Sequence, residues 1–410
     1  ALVLPSKQGD LYILDRRTGV PLVEVEERPV PGGGVEPEMR SATQPFSGFH
    51  TLAMDDLTER DMWGMSPIDQ MICRIGFRRA EYDGMYTPPS TERRWIQYPG
   101  YNGGSDWGGV AVDPRRGVII ANYNDMPNYN RLVPREQANE KGWYPRGHPE
   151  LKESAGMPAS RGGVPEGAEG AGDPQWGVPY AIDVNAGWRM GFTGMLCKQP
   201  PYGGIRAIDI RTGRTLWDRP LGQARKNGPF GIPSMLPIDI GTPNNGGSVV
   251  TAGGLIFIAA ATDDLIRAID IETGETVWTD VLPAGGQAAP IVYEEDGRQF
   301  LVLMTGGHHF METPRGDQGA ATGAVAGAVG AIVPRGTVRR PKRCWGGGTG
   351  IRCCSSPWPA GWASFWYCGP PGRNGPCPFW GCWRLPSASF RRSAPPVRRC
   401  SQRGRCTISG

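Results

Sequence analysis

Short stretches of alternating apolar and polar residues, separated by glycine-containing turns, make up most of residues 1–317. Two stretches are almost identical: residues 207–217 read AIDIRTGRTLW and residues 268–278 read AIDIETGETVW. In each copy the alternation predicts one strand, Thr-Gly predicts a turn, and the tryptophan falls on the returning strand. A tryptophan-bearing β unit that recurs in this way predicts a repeat fold, and a β-propeller of four-stranded blades fits it.

Weaker versions of the pattern occur nearer the N-terminus. Residues 15–19 keep the spacing from Asp to Gly, but Val23 stands where the tryptophan would fall, and residues 113–117 keep only the frame. Other apolar runs flank turns and predict hairpins: residues 2–14 around Gly9-Asp10, residues 110–122 around Asp-Pro-x-x-Gly, and residues 291–304 around Asp296-Gly297. The predicted fold class is therefore all-β.

One segment departs from the β pattern and predicts a helix. Ser66 can cap it, Pro67 suits its first position, and Asp69 completes a capping box. Apolar residues then recur at helical spacing: Ile68, Met71, Ile72 and Ile75. We expect a short helical insertion whose apolar face packs on the β scaffold. Residues 136–176 are polar and are predicted to form a surface loop.

Charge and cysteine divide the chain after Asp317. The formal net charge is +4, but residues 318–410 contain no Asp or Glu and hold 14 of the 44 Lys and Arg residues. They also hold eight of the ten cysteines, whereas only Cys73 and Cys197 precede them. The predicted division is a β body at 1–317 and an irregular, basic tail rich in Cys, Trp, Gly and Pro at 318–410.

The tail has no usable periodicity, and three interpretations stay open. A basic, aromatic-rich segment could bind nucleic acid, and eight cysteines could form a disulfide framework. The composition favours a third interpretation, translation of a GC-rich stretch out of frame. The chain also shows no apolar run long enough for a transmembrane helix and no signal peptide. Because it begins without Met, we expect its N-terminus to be cut from something longer.

Several blocks of the body resemble one known family, and they run in that family's order. The blocks are PSKQGDLYILDRRTG (5–19), DWGGVAVDPRRGVIIAN (106–122), CKQPPYGGIRAIDIRTG (197–213), GGLIFIAAATDDLIRAIDIETG (253–274), LPAGGQAAP (282–290) and TGGHHFMETPRGD (305–317). They are similar to the membrane-bound quinoprotein dehydrogenases, which use pyrroloquinoline quinone (PQQ) to oxidise glucose, quinate or shikimate.

The resemblance implies an eight-bladed propeller with PQQ and a divalent cation, calcium or magnesium, on its axis. It implies oxidation of a sugar or cyclic polyol hydroxyl at the periplasmic face of the bacterial inner membrane, with electrons passed to ubiquinone. It implies no nucleic-acid partner. The tryptophans of the repeat, Trp217 and Trp278, are expected to lock neighbouring blades together and to take no part in catalysis.

Four site residues are carried over by motif. Lys7 matches a lysine that approaches the quinone oxygens, where an ammonium would stabilise developing negative charge. Asn122 matches an asparagine that contacts the cofactor, Asp263 matches a site aspartate, and His308 matches a histidine linked to substrate handling. Lys7 and His308 are thus the catalytic candidates, and Lys7, Asn122 and Asp263 the cofactor-binding ones. Each has a plain alternative: a solvated lysine, a turn asparagine, a turn carboxylate and an unremarkable histidine.

The sequence also departs from the family pattern. The catalytic aspartate, the cation ligands, the first blades and the membrane helices would all lie upstream of residue 1, so no metal ligand is assigned in this chain. The strand that would close the ring after Asp317 is replaced by the tail. We therefore expect a partial propeller that is inactive alone and does not hold the quinone tightly. A non-catalytic propeller that serves as a binding scaffold remains the alternative.

Overall fold

The computed structural model describes residues 1–144, 177–308, 311, 313–325, 336–339, 399–400 and 406–407, the strands after Asp317 by their backbone alone. The chain divides into two units, Ala1–Pro341 and Lys342–Gly410. Twenty strands and two α-helices lie in the described part of the first unit: β1 (Leu2–Pro5), β2 (Asp10–Leu14), β3 (Val25–Pro29), β4 (Thr43–Ser47), β5 (His50–Thr51), α1 (Pro67–Arg79), β6 (Trp95–Gln97), β7 (Val110–Asp113), β8 (Val118–Asn124), β9 (Asn128–Pro134), α2 (Arg135–Glu140), β10 (Tyr180–Asp183), β11 (Gly203–Asp209), β12 (Thr215–Pro220), β13 (Ser248–Val250), β14 (Leu255–Ile258), β15 (Leu265–Asp270), β16 (Thr276–Val281), β17 (Ile291–Glu295), β18 (Arg298–Thr305), β19 (Gln318–Val325) and β20 (Gly336–Arg339).

Antiparallel sheets with the same strand order repeat along the first unit. Three antiparallel sheets of four strands follow chain order: β7-β8-β11-β12, β13-β14-β15-β16 and β17-β18-β19-β20. A three-stranded sheet, β1-β2-β5, precedes them. We refer to these as the first blade (β1, β2, β5), the second blade (β7, β8, β11, β12), the third blade (β13–β16) and the fourth blade (β17–β20). Up-and-down blades of this kind build β-propellers, so the all-β, partial-propeller prediction is confirmed.

The repeated motif forms a tight turn because its aspartate accepts the turn's own amide hydrogens. Asp209 Oδ1 accepts the N–H of Arg211 and Thr212, and Asp270 Oδ1 accepts the N–H of Glu272 and Thr273. The glycine that follows has φ of +68° in the first case and +72° in the second, a conformation that glycine adopts without steric cost. Asp-x-x-Thr-Gly is therefore a turn sequence with a physical cause.

The tryptophans of the repeat lie between blades, as predicted. Trp217, on β12, donates from Nε1 to the carbonyl of Ile271 in the third blade at 2.8 Å. Gly274 lies against its ring, where an added Cβ would come within 2.7 Å. Trp278, on β16, packs against a buried cluster that includes Leu301 and Leu303 of the fourth blade. Both rings thus join one blade to the next.

The first blade uses a different residue at its junction. The hairpin β3–β4 is inserted before β5, so the outer part of the blade is built from later residues than the spacing predicts. Gly213 lies against the backbone of Phe49, and His50 Nδ1 contacts the Gly213 carbonyl at 2.7 Å. Phe49 therefore stands at this junction, where the sequence frame had placed Val23.

Helix α1 has the predicted start but the opposite orientation. The Ser66 side chain accepts the Asp69 N–H, as a capping residue does. The apolar stripe expected to pack inward is largely exposed: Ile68, Met71, Ile72 and Ile75. The buried side carries Cys73, which forms a disulfide with Cys197, and Gly76, which packs against Trp188. The inward face of α1 thus carries Cys73, Gly76 and Phe77 in place of the apolar stripe.

Two further segments differ from the expected boundaries. The sheet of the fourth blade continues past Asp317, because β19 pairs along the whole of β18 and β20 pairs with β19. The expected surface loop at 136–176 begins as helix α2, and residues 145–176 lie outside the described residues.

The second unit, Lys342–Gly410, is described only at two short strands. Strand β21 (Arg399–Cys400) pairs antiparallel with β22 (Cys406–Thr407). The rest of this unit, including the other six cysteines of the predicted tail, lies outside the described residues, and the three interpretations of the tail stay open.

Candidate cofactor site

Polar side chains precede the first strands of three successive blades. Asp106 lies before β7, Asn245 before β13 and Gln287 before β17. These strands begin at corresponding places in their blades, so the three side chains come to one face of the sheet array. Lys7 reaches the same place from the turn between β1 and β2.

Hydrogen bonds join these four residues into a chain. Lys7 Nζ lies 3.0 Å from Asp106 Oδ1. With its amide nitrogen facing Asp106, Asn245 donates to Asp106 Oδ2 at 2.9 Å. The Asn245 backbone N–H donates to Gln287 Oε1 at 3.3 Å, and Gln287 Nε2 donates to the carbonyl of Ala261 at 3.3 Å. The Lys7–Asp106–Asn245–Gln287 chain thus connects all four blades.

Glycines bring the backbone segments around Lys7 into close contact. Gly103 lies so near the Lys7 turn that an added Cβ would come within 2.1 Å of the Lys7 carbonyl. Gly104 N–H donates to that carbonyl at 2.9 Å. The stem of Lys7 therefore starts from a fixed backbone, although its side chain is half exposed.

Asn122 lies at the same face, within hydrogen-bonding distance of the third blade. It is buried on β8 and donates from Nδ2 to Asn244 Oδ1 at 2.6 Å and to the carbonyl of Gly246 at 2.9 Å. Its own Oδ1 is buried and has no hydrogen-bond partner among the described residues. Because the Asn245 amide also reaches the Asn244 carbonyl at 3.1 Å, Asn122 and Lys7 belong to one connected polar region.

The loop of His308 meets this region through Met311. Met311 N–H donates to His308 Nδ1 at 3.3 Å, and His308 N–H donates to Thr313 Oγ1 at 2.8 Å. Asn102, which adjoins Gly103 in the segment packed on Lys7, contacts the Met311 sulfur at 3.5 Å. The structure therefore brings Lys7, Asn122 and the His308 loop together.

Asp263 is differently placed, because its carboxylate is already occupied. It is buried, forms a two-contact ion pair with the buried Arg267 guanidinium, and accepts the N–H of Gln223 at 2.8 Å. Asp264, beside it, has φ of +58° and lies 3.5 Å from Lys226 Nζ. Burial raises the pKa of the Asp264 carboxyl, and Lys226 opposes that shift. The Asp263 carboxylate is thus engaged by Arg267 and Gln223, and the cofactor-binding role expected for it stays a prediction.

Asp106, Asn245 and Gln287 were not predicted from the sequence, although a signal was present. Asp106-Trp107-Gly108-Gly109 and Asn245-Gly246-Gly247 are both polar-then-glycine segments immediately before a first strand. The glycines are needed because the two segments touch: a Cβ on Gly108 would lie 2.2 Å from the Gly246 carbonyl oxygen.

The residues present fit an anionic, planar aromatic group at this face. Lys7 supplies a half-exposed cation, Trp107 supplies an indole ring that is 90% exposed, and Asn122 supplies an unpartnered buried amide oxygen. Exposed Trp faces stack on planar rings, and an ammonium matches quinone or carboxylate oxygens. Within the described residues, no group of three or more His, Cys, Asp or Glu side chains could hold a metal ion.

Comparison with known families identifies the family of this chain. The family model for the β-propeller domain of PQQ-dependent glucose/ethanol/alcohol dehydrogenases matches residues 1–301. The chain belongs to that family. PQQ is the family's cofactor, and the family also uses divalent cations.

Three curated relatives are similar to this chain over most of its length. The glycerol dehydrogenase large subunit of Gluconobacter oxydans is 56% identical over 78% of this chain and 42% of its own length. The quinoprotein glucose dehydrogenase of Escherichia coli is 39% identical over 76% of this chain and 37% of its own. A probable quinate dehydrogenase of Xanthomonas campestris is 38% identical over 75% and 37%. The chain thus spans less than half the length of these relatives.

Within the described residues, no helix is long and apolar enough to cross a membrane.

Proposed function

We propose that this chain carries one side of the cofactor site of a PQQ-dependent dehydrogenase that oxidises a small polyol. The observation that carries the proposal is the Lys7–Asp106–Asn245–Gln287 chain, which puts a cation, a carboxylate and two amides on one face of four blades. A face of this kind suits a charged planar cofactor better than an apolar partner.

Glycerol or a similar polyol is the favoured substrate. The relative whose name specifies glycerol is 56% identical to this chain, whereas those whose names specify glucose and quinate are 39% and 38% identical. This proposal revises the glucose or quinate substrate expected from the sequence.

The roles of the residues follow from their chemistry. When bound, PQQ would supply the acceptor for the hydride of the carbon that bears the substrate hydroxyl. Lys7 would hold its ammonium against the oxygens on which negative charge develops, which is the electrostatic help that an oxyanion requires. Trp107 would support the ring plane, and Asn122 would offer its free amide oxygen. His308 would contact the substrate from the loop that Met311 joins to this face.

An extracytoplasmic location and a membrane quinone acceptor complete the proposal. The Cys73–Cys197 disulfide joins residues 124 positions apart, and disulfides form and persist in oxidising compartments such as the periplasm. It therefore supports an oxidising compartment such as the periplasm. The inner-membrane face and ubiquinone as the acceptor rest on the resemblance to the membrane-bound quinoprotein dehydrogenases.

The test is dye-coupled oxidation by the protein made from its complete gene, loaded with PQQ and calcium. We expect PQQ-dependent turnover with a higher kcat/KM for glycerol than for glucose or quinate. Lys7→Ala should lower kcat, while Lys141→Ala, a lysine far from this face in sequence, serves as the matched control. A folded protein without PQQ-dependent turnover on any polyol or sugar would point to a binding scaffold. The 410-residue chain alone is expected to be inactive.

A further inference from the structure

The two partners of the Lys7–Asp106 ion pair differ in their exposure to solvent. The Lys7 side chain is 51% exposed, whereas the Asp106 side chain is 5% exposed. A lysine stem has four rotatable bonds and loses considerable rotamer entropy when held in one place. Lys7 therefore needs a fixed partner if its ammonium is to stay at one position, and Asp106 is that partner.

Asp106 itself is held from three sides. Its Oδ1 accepts the Trp107 N–H at 2.8 Å, and its Oδ2 accepts the Asn245 amide at 2.9 Å. The segment that follows is held as well, because Gly108 N–H donates to the Asn245 carbonyl at 3.0 Å. The carboxylate thus has little freedom of its own, and its position is set by the junction of the second and third blades.

A direct role for Asp106 as a cofactor ligand is disfavoured by charge and by occupancy. Its Oδ1 already accepts from Lys7 and Trp107 and its Oδ2 from Asn245, and the side chain is only 5% exposed, so little of the carboxylate is available to a new donor. A buried carboxylate would also repel a ligand that carries negative oxygens. Asp106 can favour such a ligand only by acting through the cation that it holds.

We propose that Asp106 is a positioning residue that fixes the Lys7 ammonium for contact with the cofactor's quinone oxygens. The proposal rests on the function proposed above, and it makes a specific statement about an amide substitute. Asn at this position keeps an oxygen for Lys7 and for the Trp107 N–H. Its new NH2 group can donate to Asn245 once the Asn245 amide turns over. The Lys7 ammonium then keeps its position although the negative charge at residue 106 is lost.

The experiment is a titration of the apo-protein, made from its complete gene, with PQQ, followed by quenching of tryptophan fluorescence. The variants are Lys7→Ala, Asp106→Ala, Asp106→Asn and the double variant Lys7→Ala/Asp106→Ala. Glu26→Ala, which breaks an exposed ion pair with Arg28, is the matched control. Thermal melting of each apo-variant reports folding, and Asp106→Ser replaces Asp106→Ala if the latter does not fold.

We expect Asp106→Ala to weaken PQQ binding about tenfold and to have no further effect when Lys7 is already alanine, as coupled residues behave. Asp106→Asn should stay within about threefold of the unmodified protein. Equal losses in the presence and absence of Lys7, or tighter binding by Asp106→Ala, would overturn the proposal. If Lys7→Ala leaves binding unchanged, the role of Lys7 in the proposed function fails, which is a separate outcome.

Discussion

Two equivalent turns of the propeller use their charged residues in opposite ways. The turn between β1 and β2 carries Lys7, and the turn between β14 and β15 carries Asp263. Each precedes a strand that ends in the Asp-x-x-Thr-Gly motif, so the two turns hold the same place in their blades. Lys7 is half exposed and forms an ion pair with Asp106 of the next blade. Asp263 is buried and forms an ion pair with Arg267, four residues later in the same blade.

The difference shows that a match to a family motif does not by itself determine a residue's role. The resemblance to quinoprotein dehydrogenases marks both positions as site residues. Burial and hydrogen bonding separate them, because a carboxylate that is already paired and buried has no free oxygen to offer. We infer that the first turn serves the cofactor and the other serves the fold.

The largest expected effect lies in the third blade. Asp263→Ala leaves the Arg267 guanidinium buried without its partner, and we expect it to lower the free energy of unfolding by about 3–5 kcal/mol. Lys7→Ala removes the half-exposed partner and leaves the Asp106 carboxylate hydrogen-bonded to Trp107 and Asn245, so it should lower that free energy by only about 1 kcal/mol. Guanidinium unfolding curves of both variants measure the contrast. Similar losses for both variants would contradict the separation of roles.

Backbone conformation should also distinguish the two turns. Gly9 has φ of +117°, and a Cβ there would lie 2.7 Å from the Ala53 nitrogen, so Gly9→Ala should destabilise by about 1–3 kcal/mol. Asp264, at the matching position, has φ of +58°. Asp264→Gly relieves that backbone and should change stability by less than about 1 kcal/mol. Thermal melting measures the stability of both variants. A larger loss of stability for Asp264→Gly than for Gly9→Ala would contradict this prediction.

A smaller effect concerns the pKa of Asp264 in the third blade. Burial raises the pKa of Asp264 in the folded protein above the unfolded value of about 3.9. The folded state then holds more proton than the unfolded state, so this group's contribution to stability is lost as pH rises through the folded pKa. Asp264→Asn lacks this dependence.

We therefore expect the stability of the Asp264→Asn variant, relative to the unmodified protein, to rise on going from about pH 4 to about pH 8. Unfolding curves collected at both pH values measure the change. If the stability of Asp264→Asn relative to the unmodified protein rises instead as the pH is lowered from 8 to 4, a raised pKa of Asp264 is contradicted.

The local features of the fold were predictable from the sequence. Apart from β19 and β20, which fall in the segment expected to be an irregular tail, alternation and turn sequences predicted strands in all four blades, and Ser66 and Pro67 predicted the start of α1. These succeed because they depend on neighbours in sequence. The orientation of α1 was not predictable, because its inward face is bonded through Cys73 to Cys197, which is 124 residues away.

The candidate site was predictable only in part, for the same reason. Lys7, Asn122 and His308 came from motif resemblance, and the structure brings them into one region. Asp106 and Asn245 lie in different blades and matter because their segments meet. The periodicity of one blade carries no information about contacts between segments of different blades. Phe49 was missed likewise, since the hairpin β3–β4 separates it from the frame in which Val23 was expected.

The most direct test of the different roles of these two turns is one set of PQQ titrations on the apo-protein made from its complete gene. The variants Lys7→Ala and Asp263→Asn are titrated at a temperature at which both are folded by circular dichroism. We predict that Lys7→Ala weakens PQQ binding by about tenfold or more, while Asp263→Asn stays within about threefold. Unchanged binding by Lys7→Ala together with a large loss for Asp263→Asn would contradict the account.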